Sequence, residues 1–183
     1  MKEYTYQELK QRFAELGFKW FNFHIIGIRA KIHVPNRFLD RIYIVWGSAI
    51  YSYSCTTIPG ITYLKKLLNQ KGTAVVKADM QYIDAYIYGT HKGTPALEQA
   101  KPLTIYRDND LDDIAECIGE PITAGIECGI NIHGTGPSVV SSIIGAWSAG
   151  CQVLNNPTEY KEFLSLCKRS GLKNFTYTLL NEF

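Results

Sequence analysis

Residues 41–53, RIYIVWGSAIYSY, constrain the fold more than any other stretch of the chain. Two runs of β-branched and aromatic residues flank Gly47-Ser48, the spacing of two strands joined by a two-residue turn. Glycine at the first turn position supplies the positive φ that a type II′ turn needs. Further strand-like text lies at 73–77, 85–88 and 103–107, and 126–132 reads as a strand leading to His133. Aromatics make up 13% of the chain, with 12 tyrosines and 8 phenylalanines, in line with a sheet. Residues 57–60, Thr-Ile-Pro-Gly, break the pattern, and 89–102 reads as a loop through Gly93, Pro95 and Pro102.

Helices frame these strands. Thr5-Tyr6-Gln7-Glu8 fits a capping box, and Tyr6, Leu9, Phe13 and Leu16 then line one side until Gly17 ends the run. Asn156-Pro157 reads as an N-cap with proline in the first turn. Tyr160, Phe163, Leu164 and Cys167 follow at i, i+3, i+4 and i+7, Gly171 stops the helix, and 175–180 closes as a strand. The expected class is mainly β, a β-rich α+β fold, in one domain over 1–183, with 1–38 a candidate N-terminal helical or loop appendage.

Composition narrows the function. The formal net charge is +2 and no Lys/Arg run stands out, so no nucleic-acid partner is expected. No apolar run is long enough to span a membrane, and MKEYTYQELK has no signal-peptide pattern. The chain is expected to be cytoplasmic as synthesised. Five irregularly spaced cysteines (Cys55, Cys117, Cys128, Cys151 and Cys167) with no C-x-x-C pair support neither a disulfide framework nor a zinc site. No metal or cofactor is expected.

His133 and Cys151 are the pair that can carry chemistry. An imidazole can take the thiol proton, and the resulting thiolate attacks a carbonyl carbon. On that reading Cys151 has a depressed pKa and outpaces the other four cysteines in alkylation. Small residues at Ser148-Ala149-Gly150 let the backbone approach a substrate, and Gly134-Thr135-Gly136 allows a tight turn after the histidine. The plainer reading makes Cys151 a buried small hydrophobe and His133 a strand-end residue bonded to backbone.

His133-Gly134-Thr135, then twelve residues (136–147), then Ser148-Ala149-Gly150-Cys151, resembles the signature of the L,D-transpeptidase catalytic domain. In that family a histidine, often in His-Gly-Thr, precedes a Ser-x-Gly-Cys block. The resemblance is specific over about 20 residues and extends in pattern alone over the remainder from about residue 40. It implies an L,D-transpeptidase-like β-sandwich or barrel, with an N-terminal helix and a helix after the catalytic cysteine. The implied activity is acyl transfer on peptidoglycan stem peptides or muropeptides through a thioester, resolved by an amine or by water. Cys151 would be the nucleophile and His133 the general base. Ser148 would orient the ring or line the oxyanion site, the N–H groups of Gly150 and Cys151 would receive the oxyanion, and Gly134 would fix the tautomer. The family usually has histidine or asparagine where Ala149 stands, and Arg or Asn where Val153 stands. Arg107 or Lys92 is then the candidate cation for a substrate carboxylate. Asn131, Trp147 and Gln152 are candidate substrate contacts. A cell-wall substrate would be met after release or export.

The competing expectations are a non-catalytic cell-wall-binding or structural domain that kept the scaffold, and a cysteine peptidase on an unrelated fold. His91 reads as a solvent-facing loop histidine, and His24 and His33 as structural. Asp108, Asp110, Asp112 and Asp113 read as a solvated acidic loop, without the glycine and glutamate of a calcium loop. Cys128, five positions before His133, reads as facing away from it.

Overall fold

A computed structural model describes residues 2–32 and 34–183, so the expectation for His33 lies outside it. The elements run α1 (Tyr6–Glu15), β1 (Phe23–Arg29), β2 (Asp40–Trp46), β3 (Ala49–Thr56), α2 (Ile61–Lys65), β4 (Thr73–Val76), β5 (Met80–His91), β6 (Thr94–Gln99), β7 (Leu103–Asp108), β8 (Ile122–Ala124), β9 (Ile132–Gly134), β10 (Gln152–Leu154), α3 (Pro157–Arg169) and β11 (Asn174–Asn181). Among the described residues, eight strands close a barrel in the order β1-β11-β5-β6-β9-β10-β3-β2, and β4-β7-β8 form a separate small sheet. The fold is mainly β, as the strand text implied. No described helix is long and apolar enough to cross a membrane.

The hairpin forms where expected: β2 and β3 pair from Asp40↔Cys55 to Trp46↔Ala49, and Gly47 has φ 60 while Ser48 stays out of the positive region. That is the signature of a type II′ turn. The capping box is complete, with Thr5 Oγ1 accepting from Glu8 N–H and Glu8 Oε2 accepting from Thr5 N–H. Asn156 caps α3, whose Pro157 needs no N–H partner. Leu9 and Phe13 of α1 pack on Ile26, Ile28, Tyr43, Val45 and Leu180, the outward face of β1, β2 and β11. Ile25, Ile42 and Ile44 alternate to the opposite face and join the main core with Tyr86, Leu97, Phe163 and Tyr177.

Three expectations change. β1 pairs with both β2 and β11, so Phe23–Arg29 of the 1–38 segment is barrel wall and not an appendage. All seven β1 residues are buried, and a strand buried on both faces loses the alternation that would announce it. The 89–102 loop is the tip and return arm of a hairpin: β5 and β6 pair from Tyr86↔Gln99 to His91↔Thr94, and Lys92 and Gly93 both turn at positive φ. The strand expected over 126–132 is confined to its last residue, Ile132. A 3-10 turn at Ile126–Cys128 and a left-handed Gly129 precede a β9 of three residues.

The buried charges are fully engaged. Arg29 donates to Thr57 Oγ1, Thr57 O and Val76 O, and Asp40 accepts from the N–H groups of Ala30 and Thr57. These contacts fix the 57–60 bend, and Gly60 N–H then donates to Ser148 O at 2.9 Å. The segment that breaks the strand pattern thus holds the loop before Cys151. Asp110, Asp112 and Glu116 converge on the surface with all three exposed, and Asp110 and Asp112 accept backbone N–H groups two residues on.

Candidate active site

β9 and β10 lie parallel, with Gln152 opposite Ile132, Val153 opposite His133 and Leu154 opposite Gly134. Ile132 and Gln152 turn inward, Ile132 into the main core and Gln152 to accept from the Tyr177 hydroxyl at 2.9 Å. Alternation within the strands then puts His133 and Val153 on the other face, while Asn131 and Cys151 immediately precede the two strands. Gln152 N–H donates to Asn131 O, and Asn131 N–H reaches Cys151 Sγ at 3.4 Å, two register positions from His133.

His133 Nδ1 is 3.0 Å from Gly134 O, and a carbonyl only accepts, so Nδ1 carries the proton. Nε2 is left with a lone pair, is buried, and has no hydrogen-bond partner among the described residues. Burial lowers the His133 pKa to about 4, with Gly134 O opposing and the neighbouring His91 adding to the drop. Burial raises the Cys151 thiol, opposed by Asn131 N–H and by Lys92. The resting pair is therefore a neutral imidazole and a protonated thiol, the reverse of the depressed thiol that the sequence reading called for. The reason is desolvation: Cys151 is 9% exposed, and its sulfur is engaged by Asn131 N–H and by Gly129 O at 3.5 Å. His133 makes no hydrogen bond to it.

Ser148 is fully buried and braces the turn instead of the imidazole. Its Oγ donates to Cys151 O at 2.8 Å and accepts from Gly150 N–H at 3.1 Å. Gly150 N–H is thus committed and is not free to receive an oxyanion. Cys151 N–H has no acceptor among the described residues, which leaves it for that role. Gly150 itself is required: φ is 128, and a Cβ would stand 2.8 Å from Ala74 O. Gly134 answers a different need, since a Cβ there would come 2.4 Å from the Tyr160 ring of α3. Tyr160 in turn donates to Pro95 O at 2.7 Å, tying α3 to the β6 edge beside the site.

Three cavities border the motif. One, of about 460 Å³, is lined by His133, Gly134, Trp147, Tyr160, His91 and Lys92 among others. A second, of about 430 Å³, holds Arg107, Cys128, Glu127 and Ala149. A third, of about 400 Å³, lies among residues 135–143 and Trp147. Cys151 lines none of them, while Ala149 lines the second and Trp147 the first and third. Trp147 is 43% exposed at the rim of the first, in keeping with a ligand-contacting residue. Arg107 faces the second, where it donates to Gly72 O and Cys128 Sγ, so it is no partner of His133. Gln152 is fully buried against Tyr177 and Gly150, out of reach of a substrate. Val153 is fully buried as well. Cys128 sits in the Arg107 cavity and forms no dyad with His133.

Two further residues differ from the sequence expectation. His91 is not a solvent-facing loop residue. It ends β5, and its ring stacks on His133 with centroids 4.2 Å apart and planes 10° from parallel. Asn131 is a brace more than a ligand contact: Oδ1 accepts Gln99 N–H at 2.9 Å and Nδ2 lies 3.0 Å from His91 Nδ1. Gln99 Oε1 reciprocates with Ile130 N–H, so side chains complete a β6–β9 seam whose backbone register holds a single pair, Leu97↔Ile132. The available signal for His91 was Lys92-Gly93, a two-residue turn that makes its flanks strand ends. No protein-family model, no curated protein and no solved structure matches the chain.

Proposed function

We propose that the chain is a cysteine-dependent acyltransferase or peptidase of the L,D-transpeptidase type, acting on peptidoglycan stem peptides, with Cys151 as nucleophile and His133 as general base. One observation carries the reading. His133 holds its proton on Nδ1 against Gly134 O and keeps an unpaired Nε2 on a ring that lines a cavity, in the strand paired with the one that Cys151 precedes.

In the reaction, Cys151 loses its proton to His133 Nε2 as the sulfur bonds to the substrate carbonyl carbon. Cys151 N–H receives the oxyanion. His133 returns the proton to the departing amine nitrogen as the C–N bond breaks, leaving a thioester. An amine or water then gives a proton to the same nitrogen, attacks the thioester carbon, and the sulfur leaves and recovers the proton. Because both groups rest neutral, proton transfer belongs to the attack itself. The burial of Cys151 calls for a small opening at Gly129–Asn131 when substrate binds, releasing the sulfur from Gly129 O.

A second reading, a wall-binding domain without turnover, is favoured by that same burial of the thiol. Incubation with disaccharide-tetrapeptide muropeptides, followed by mass spectrometry of products and protein, decides between them. An adduct on Cys151 with crosslinked or trimmed products is expected. Binding with neither adduct nor product supports the second reading, and turnover retained by Cys151→Ala overturns the mechanism.

A further inference from the structure

The hydrogen bonds of Asn131 fix more than its own amide. Oδ1 accepts the backbone N–H of Gln99, which can only donate, so the other end of the amide is the NH₂ group. That NH₂ points at His91 Nδ1, 3.0 Å away, and Nδ1 must accept. A neutral His91 therefore carries its proton on Nε2. His91 Nε2 has no partner among the described residues and is not among the buried unpaired atoms, so it is accessible, on a residue that lines the cavity. His133 is locked in the opposite sense, with its proton on Nδ1 and its lone pair on Nε2.

The stacking makes this arrangement self-consistent. Two imidazoles with centroids 4.2 Å apart cannot both be charged without placing like charges in contact. Burial lowers the pKa of both, Lys92 lowers His91 further, and Glu98 opposes. The cavity thus meets a ring that can donate, stacked on one whose lone pair lies buried beside it. Lys92 and Lys161 line the same space and favour a ligand oxygen that carries negative charge.

We infer that His91 is a second functional imidazole of the site: its Nε2–H, aimed by Asn131, donates to a carbonyl or carboxylate oxygen of a ligand in the Trp147 cavity, while His133 keeps the acceptor role. That the ligand is also the acyl substrate rests on the proposed function; the donor itself does not.

Long-range proton–nitrogen spectra of the ¹⁵N-labelled full chain near neutral pH read the tautomers directly, with His91→Phe for assignment. Protons on His91 Nε2 and His133 Nδ1 are expected. A His91 proton on Nδ1, or a charged His91, overturns the inference. Acetate and acetamide, the simplest carboxylate and amide oxygens, are then expected to move the His91 Nε2 signal saturably. His91→Phe keeps an aromatic face for His133 and, with binding read in both proteins at the Trp147 indole N–H of the same cavity, is expected to weaken the probe by about tenfold. No saturable shift at His91, or equal affinity in His91→Phe, overturns the donor. Disaccharide-tetrapeptide added to the Cys151→Ala protein separates the two claims: a shift with acetate but none with muropeptide defeats the cell-wall reading and leaves the donor standing.

Discussion

The barrel contains two parallel strand pairs, and each buries a histidine. β1 and β11 share five register positions, from Ile25↔Tyr177 to Arg29↔Asn181, and α1 covers their outer face. β9 and β10 share three, and β9 meets β6 at one. His24, on the long pair, is fully buried, bonds Thr178 Oγ1 at 2.9 Å, and lies edge-on to Phe13, Trp20 and Phe21. His133, on the short pair, is almost as buried but borders a cavity and stacks on a second imidazole. Burial depresses both pKa values, to about 3 and about 4. A depressed histidine is therefore no mark of function by itself. Each ring keeps one nitrogen without a partner, His24 Nδ1 and His133 Nε2. What separates the two is the cavity that His133 lines, and a sheet seam weak enough in backbone pairing that side chains must complete it.

The sharpest break of the comparison is in activity. Cys151→Ala and His133→Ala are expected to lower acyl transfer by about 10³-fold or more while leaving the thermal midpoint nearly in place. His24→Gln is expected to do the opposite, with turnover per folded molecule unchanged. Muropeptide turnover beside thermal melts checks both, and a His24→Gln protein that folds but is inactive would erase the distinction.

Stability should separate the regions in the other direction. Phe13 is almost completely buried against the β1 face and beside His24, so Phe13→Ala is expected to cost about 3–4 kcal/mol in urea unfolding. The two histidines then set an acid limit. Unfolded, each takes up a proton near its ordinary 6.5; folded, His133 resists until about 4 and His24 until about 3. The unfolded chain binds more protons across those windows, so stability is complete above about 6.5 and falls as pH drops towards 4 and then 3. At the bottom of its window the loss is about 3 kcal/mol for His133 and about 5 kcal/mol for His24. Urea midpoints at about pH 7 and about pH 4.5 should converge in part for His24→Gln. An unchanged pH slope in that variant would show that His24 is not held neutral.

The sequence was legible where local rules act alone. The type II′ hairpin, the capping box at Thr5 and the Asn156-Pro157 start of α3 all follow from a few adjacent residues, and all three form. It was opaque where distant segments meet. β1 carries no alternation because both of its faces are covered. His91 sits 42 positions before His133, and nothing local says that one hairpin tip will stack on another strand's end. Gln152 follows the cysteine directly, yet the pleat sends it inward to Tyr177. The motif put the histidine and the cysteine at neighbouring parallel strands; it did not reveal that Ser148 and Gly150 N–H are spent on each other.

Gly134 offers the finest comparison, because its constraint is external to its own backbone. Its φ is not in the left-handed region, so alanine would meet no torsional penalty there. The obstacle is the Tyr160 ring, 2.4 Å from the Cβ that alanine would add. Gly134→Ala is therefore expected to push Tyr160 off Pro95 O and cost about 1–3 kcal/mol, the range for overpacking a filled site. Removing the ring should repair it. In Tyr160→Ala, the further change Gly134→Ala is expected to cost well under 1 kcal/mol, giving a clear interaction energy in the double-mutant cycle. Activity should follow the same cycle only in part, since loss of Tyr160 also opens the cavity wall beside His133. Equal costs for Gly134→Ala with and without Tyr160 would mean that the glycine serves the histidine's own turn and not the packing of α3.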